Sequence, residues 1–332
     1  MTFPPLADVL AGARVVSLPM RVRFRGITTR EALLLEGPAG WGEFAPFPEY
    51  DDAEAAHWLR AGIEAAWAGP PTPLRTRVSI NATVPAIGPE QVPQILARFP
   101  GARTAKVKVA EKGQSLADDV ARVTAVREFI PNVRVDANGG WSVDDAVAAL
   151  TALTAAGPLE YAEQPCATVP ELVDVRRRLP GVPIAADESI RRAEDPLRVV
   201  RAGGADVAVV KVPPLGGMRR LLALADELAG YGVPVVVSSA LDTAVGMGAG
   251  LAAAAALPNL NHACGLGTGG LFAADVADPR EMSDGSLDAS PVVPDPARLS
   301  ALAAPPERTQ WWLERLRRCH QILATSEDAD LV

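Results

Sequence analysis

Four lysines stand against 28 arginines in this chain. Three of the four fall in short apolar motifs: Lys106 and Lys108 in Thr-Ala-Lys-Val-Lys-Val-Ala, and Lys211 in Val-Val-Lys-Val-Pro-Pro. Arginine keeps its proton at any ordinary pH, whereas a lysine amine gives it up when desolvated or set beside another cation. A composition that avoids lysine elsewhere therefore points to proton chemistry at these positions. The plainer alternatives are an arginine-favouring codon bias with chance survivors, or lysines in solvated surface pairs. The flanking valines argue against the second, because they mark a buried strand, and buried charge needs partners.

Three acids can supply those partners. Asp136 in Arg-Val-Asp-Ala-Asn, Glu163 in Tyr-Ala-Glu-Gln-Pro and Asp187 in Ala-Ala-Asp-Glu-Ser each close a short strand-like run. In a parallel barrel every strand opens its C-terminus on one face, so carboxylates at successive strand ends converge there. Three hard oxygen ligands suit Mg2+, with Mn2+ as a substitute, leaving positions for water or a substrate oxygen. Taken singly, each acid is as readily a helix cap or a loop acid, but capping does not explain the position they share. Asn138 lies two residues past Asp136 and reaches the same face as ligand support or substrate contact, or else serves as a turn residue before Gly139-Gly140. Glu188 is expected to point away from its neighbour Asp187, since side chains alternate along an extended strand. Lys106 and Lys108 share one face beside the strand of Asp136, and Lys211 approaches from across the barrel. Acids holding a metal between ammonium groups suit removal of a proton from a carbon acid. The metal stabilises an enediolate and a lysine exchanges the proton.

The elements that must position these groups recur from about residue 78. Candidate strands are 78–84, 105–109, 133–137, 160–163, 183–187, 206–212, 233–238 and 261–265, starting roughly 23 to 28 residues apart, the length of a strand-helix unit. Between them, residues 115–129, 142–156, 217–231 and 243–257 carry apolar residues at helical spacing, with Ser115 and Ser142 as N-caps. An open doubly wound sheet would also alternate strands and helices, but would place a Gly-rich phosphate loop after its first strand, where Asn81-Ala-Thr-Val-Pro has none. The first 77 residues read as a separate α+β region: extended runs at 15–24 and 31–36, a Gly40-Trp41-Gly42-Glu43 turn, and a helix over 53–68. After about Asp275 the repeat is lost, and the amphipathic stretch 311–323 returns to the first region. The expected division is 1–77 plus 278–332 for the small domain and 78–277 for the barrel.

Composition narrows the partner. A net charge of -8 and a pI near 5.1 exclude broad binding to nucleic acid or anionic membrane, leaving a small-molecule carboxylate as the expected partner. Cys166, Cys264 and Cys319 lack metal-ligand spacing and read as reduced thiols, and no basic segment leads into an apolar one at the start, so the cytoplasm is expected. The apolar run 233–257 contains Pro234, Asp242 and several glycines, which fits a strand, turn and helix better than a membrane span. His57, His262 and His320 read as structural, and Trp41, Trp311 and Trp312 as packing between the two regions. Oligomeric state stays open.

Jointly, Gly40-Trp41-Gly42-Glu43, Lys106-Val-Lys108, Asp136-Ala-Asn138, Glu163-Gln-Pro165, Asp187-Glu188-Ser189, Lys211 and Ser238-Ser239 resemble the enolase superfamily, in its muconate-lactonizing branch, and most of all its arginine-rich actinobacterial dehydratases. The resemblance implies a modified TIM barrel, (β/α)7β, with a discontinuous α+β capping domain. It implies Mg2+ on Asp136, Glu163 and Asp187. Lys108 would then abstract the proton α to the substrate carboxylate and help the hydroxyl depart from the same face. Lys106 would hold charge nearby and tune Lys108, and Lys211 would stabilise the enediolate from the opposite face. Asn138 would contact substrate, and Ser238 and Ser239 would line the pocket for a succinyl tail.

The implied activity is syn-dehydration of 2-succinyl-6-hydroxy-2,4-cyclohexadiene-1-carboxylate to o-succinylbenzoate, a menaquinone-pathway lyase reaction. The same apparatus would serve an N-succinylamino acid racemase, a dipeptide epimerase or, more distantly, a muconate cycloisomerase, and an inactive barrel would serve as a binding protein. Two departures stand out. Asp242 replaces a glutamate common after the seventh strand, and the lid segment Phe24 to Thr29 is short.

Overall fold

The computed structural model describes residues 3–24, 27–191 and 195–325. Of the short lid segment, residues 25 and 26 lie outside the described residues.

Near the N-terminus, β1 (Ala13–Phe24), β2 (Ile27–Gly37) and β3 (Gly40–Phe44) form an antiparallel meander. Leu33, Leu34 and Leu35 are all fully buried in β2, so both faces of this sheet are covered. Gly40-Trp41-Gly42-Glu43 is not a turn, as its glycines suggest, but the body of β3, paired with β2 from Gly37↔Gly40 to Leu34↔Glu43. The second glycine answers to packing. A Cβ on Gly42 would lie 1.9 Å from the carbonyl oxygen of Gly62, on the helix Asp52–Ile63 that crosses the strand.

The expected first barrel strand divides in two. β4 (Arg77–Ser79) pairs antiparallel with β12 (Ser286–Asp288), whereas β5 (Ala82–Val84) begins the parallel sheet. That sheet continues in chain order through β6 (Thr104–Lys108), β7 (Asn132–Asp136), β8 (Tyr161–Glu163), β9 (Ile184–Ala186), β10 (Val207–Val210) and β11 (Val235–Val237). The expected eighth strand, 261–265, supplies only isolated bridges, Ile80↔Cys264 and Ser238↔Gly265. These suffice to join the two edges: Cys264 N–H donates to Ser79 O at 2.7 Å and Gly265 N–H to Val237 O at 2.8 Å.

Helices return the chain between strands. Ser115 caps Leu116–Arg127 in a capping box with Asp118, and Ser142 caps Val143–Thr154. Their inward residues, Val123, Val126, Leu150 and Leu153 among them, join the strand valines in one apolar core. A second core gathers the N-terminal sheet, helix Asp52–Ile63, residues 271–276 and the C-terminal helix Pro306–Thr325, with Trp312 1% exposed. Leu287 of β12 packs with the barrel core, so the chain after the last strand contributes to both. The apolar run 233–257 forms β11, a turn and helix Ala244–Ala256, and no helix among the described residues is long and apolar enough to cross a membrane.

Candidate active site

Strand register explains why the motif residues meet. Lys108 is paired with Asp136, and Asp136 with Glu163, so these side chains leave neighbouring strands in the same direction. Asp187 lies two residues beyond Ala185, the partner of Glu163, and follows the end of β9. Lys211 follows β10 directly, and Lys106 stands one inward-facing layer below Lys108.

The ammonium groups and carboxylates pair across these strand ends. Lys106 Nζ donates to both oxygens of Glu163, at 2.8 and 3.0 Å, and lies 3.2 Å from Asp136 Oδ2. Lys108 Nζ contacts Asp136 Oδ2 at 2.6 Å and Asn138 Oδ1 at 2.5 Å. Lys211 Nζ lies 2.6 and 2.5 Å from the two oxygens of Asp187. Asn138 is a turn residue with φ of 47°, and its side-chain oxygen accepts from Lys108 Nζ.

Burial sets the electrostatics. It favours neutral groups first, pushing Glu163 up to about 7, with nearby Asp136 adding to the rise. Burial likewise disfavours charge on Lys106, but Glu163 and Asp136 outweigh it and hold that ammonium firmly protonated. Asp136 sits below the usual carboxylate range because Lys108 and Lys106 overcome its burial. Lys211 moves the other way: burial and the Arg191 guanidinium lower it despite Asp187. Of these two amines, the one beside Asp187 is therefore the readier to lose charge.

The set opens into a cavity of about 1160 Å³ whose wall includes Lys108, Asp136, Lys211, Ser238 and Ser239. Ser239 Oγ is 2.7 Å from Thr268 Oγ1, and Ser238 Oγ donates to Gly265 O at 3.4 Å. Donor chemistry at Asp136, Glu163 and Asp187 fits a hard divalent cation, three carboxylates from three adjacent strands. Among the described residues, no three acidic, histidine or cysteine side chains are already grouped to hold an ion. Each acid is drawn onto a cationic side chain instead, so cation binding would exchange these ion pairs for metal contacts.

Two contributors, Gln164 and Arg191, were given no role from sequence. Gln164 ties β8 to β9: its Oε1 accepts from the Asp187 and Ser189 N–H groups at 3.1 and 3.2 Å. Glu188 does not turn away as alternation suggests, because β9 ends at Ala186 and a helical turn, Glu188–Arg191, begins. Its Oε1 reaches Asn138 Nδ2 at 3.4 Å and Arg191 Nη2 at 2.7 Å. The four-residue spacing of Asp187 and Arg191 was the available signal, legible only once that turn is known to be helical. His262 is part-buried, its Nδ1 2.7 Å from Glu160 Oε1, and Glu160 in turn pairs with Arg134.

With this fold and geometry, the chain belongs to the enolase superfamily: the family described as enolase C-terminal domain-like matches residues 93–295, and the enolase N-terminal domain-like family matches 15–66. Members of the superfamily generally depend on a divalent metal ion. Among curated relatives, the o-succinylbenzoate synthase of Mycolicibacterium smegmatis is 67% identical over 96% of this chain and 98% of its own length. That of Mycobacterium tuberculosis is 66% identical over 97% and 98%. Among solved structures, the muconate lactonizing enzyme from Pseudomonas putida superposes with a TM-score of 0.72 over 88% of this chain and 98% of that one, at 20% identity, a likeness of fold.

Proposed function

We propose that this protein is a lyase that dehydrates 2-succinyl-6-hydroxy-2,4-cyclohexadiene-1-carboxylate to o-succinylbenzoate, a step of menaquinone biosynthesis. The observation that carries the reading is the placing of Lys108 at Asp136 and Lys211 at Asp187, two amines on carboxylates at the same end of the parallel sheet, in a chain so similar to o-succinylbenzoate synthases. Asp136, Glu163 and Asp187 would hold Mg2+, with Mn2+ as a substitute. When bound, that ion supplies positive charge for a substrate carboxylate gaining enediolate character.

Lys108, as the neutral amine, takes the proton α to the carboxylate. The resulting ammonium gives that proton to the departing hydroxyl on the same face, so water leaves, the elimination is syn and the ring becomes aromatic. Lys106, held protonated by Glu163 and Asp136, keeps a positive charge beside Lys108. Lys211 faces the developing negative charge from the other side and donates to it without taking the carbon-bound proton. Asn138 keeps the Lys108 amine in place, and Ser238 and Ser239 line the cavity for the succinyl tail. Three buried free cysteines support a reducing cytoplasm as the compartment.

The test is ultraviolet detection of o-succinylbenzoate formed by wild type and Lys108→Ala, with Mg2+ and with EDTA. Turnover that needs both the metal and Lys108 is expected. A folded, metal-binding wild type that forms no product would overturn the assignment.

A further inference from the structure

Arg191 is held at three points. Its Nε donates to Asp187 Oδ1 at 3.1 Å, its Nη2 to Glu188 Oε1 at 2.7 Å and its Nη1 to the Tyr50 hydroxyl at 3.2 Å. Its side chain is only 5% exposed. The first two partners belong to the barrel rim. The third arrives from the loop between β3 and helix Asp52–Ile63, on the N-terminal sheet side.

Tyr50 is itself fixed. Its ring stands edge-on to Phe47 at 5.6 Å and tilted against Trp58 at 6.0 Å, and its carbonyl accepts from Arg315 of the C-terminal helix. A run of contacts therefore joins that helix to Tyr50, Tyr50 to Arg191, and Arg191 to Asp187. The two cations on Asp187 do different work. Lys211 touches both carboxylate oxygens almost equally, and an ammonium has three rotating donors that set no plane. Arg191 is a planar fork and takes Oδ1 alone among the two oxygens, which breaks that symmetry. Charge neutralisation would need no fork and no hydroxyl on Tyr50.

We propose that Arg191 is a positioning residue: fixed by the Tyr50 hydroxyl, its guanidinium orients the Asp187 carboxylate so that Oδ2 is left to the divalent cation. Packing of the N-terminal region against the barrel is thereby tied to the affinity of the metal site. The inference rests on Asp187 being a metal ligand, as read above.

The test is calorimetric titration of Mn2+ alone into wild type, Tyr50→Phe, Arg191→Lys and the double variant, each checked for a cooperative thermal transition. Both substitutions keep the charge near Asp187, so a change in affinity reports orientation. Arg191→Lys is expected to weaken Mn2+ about tenfold, the lower end for partners that orient a ligand, and Tyr50→Phe by about threefold. Because Tyr50 acts through Arg191, the double variant should bind no more weakly than Arg191→Lys. Unchanged affinity in Tyr50→Phe, or penalties that multiply in the double variant, would overturn the inference. A folded wild type that does not bind Mn2+ would instead overturn the ligand reading, and this inference with it. Tyr50→Phe keeps the ring between Phe47 and Trp58 and decides the matter alone if Arg191→Lys fails to fold.

Discussion

Glu43 Oε2 accepts the backbone N–H of Thr243 at 3.0 Å across a sequence separation of 200 residues. The same oxygen accepts from the Thr243 hydroxyl and from Gly246 N–H at 3.1 Å. Glu43 lies on β3 of the N-terminal sheet, and Thr243 caps the helix that follows β11. The last residue of the Gly-Trp-Gly-Glu motif thus fastens that sheet to the barrel beside the loop carrying Ser238 and Ser239.

This fastening is expected to depend on pH. Burial, and then the neighbouring Asp242, push Glu43 up to about 7 from an ordinary 4.5. Between those values the folded protein holds more protons than the unfolded chain, so stability falls as pH rises through that window. Above it both states are ionised and the loss is complete. Glu43→Gln cannot ionise, and relative to wild type it should gain on the order of 1–3 kcal/mol between pH 4.5 and pH 8. Denaturant titrations of both proteins across this range read the difference. Parallel pH profiles would show that Glu43 ionises normally in the folded protein.

The glycines of the same motif should respond for different reasons. A Cβ on Gly42 meets the Gly62 carbonyl oxygen at 1.9 Å, so β3 and helix Asp52–Ile63 must move apart. Gly42→Ala is expected to cost about 3 kcal/mol or more, the upper range for overpacking. Gly40 has open space but a φ of 135°, so Gly40→Ala meets backbone strain only, of about 1–2 kcal/mol. Thermal melting ranks the two. An equal or reversed order would mean that helix and strand separate easily.

Lys211 is read as a donor to developing charge, and its loss should therefore appear in kcat. Lys211→Ala is expected to lower kcat about 10²–10³-fold with a smaller change in KM, the size seen for removal of one transition-state donor. Lys211→Arg, which keeps the charge with a different shape, should recover part of the loss. Steady-state kinetics settle it, and a Lys211→Ala enzyme with wild-type kcat would remove this residue from the chemistry.

Sequence revealed what depends on strand ends and hid what depends on turns. Lys106, Lys108, Asp136, Glu163, Asp187 and Lys211 were legible because strand parity and a shared barrel face fix their direction. Arg191 and Glu188 were not, since their reach follows from where β9 stops and a helical turn starts. The Gly-Trp-Gly-Glu segment looked like a turn because glycine serves turns and close packing alike, and only the crossing helix distinguishes the two. The pairing of Ser239 with Thr268 spans 29 residues through a loop with no repeat to follow.

Metal removal should leave the fold intact, because the acids already have cationic partners. Lys106, Lys108, Lys211 and Arg191 between them put at least one cationic nitrogen within 3.2 Å of each of the three carboxylates, so a metal-free chain keeps few uncompensated charges. EDTA-treated wild type is expected to melt cooperatively, and Mg2+ at about 100 times its dissociation constant should add about 2.7 kcal/mol by binding only the folded state. Lys106→Met tests the compensation. It removes the ammonium from Glu163 and leaves a buried carboxylate unpaired, which should cost the metal-free protein about 3–5 kcal/mol. Mg2+ would then answer the same charge, so its stabilising effect should be larger in Lys106→Met than in wild type. Differential scanning calorimetry of both proteins with and without Mg2+ measures the two increments. Equal increments would mean that Lys106 and the metal do not compensate the same acids, and Glu163 would lose its place in the ligand set.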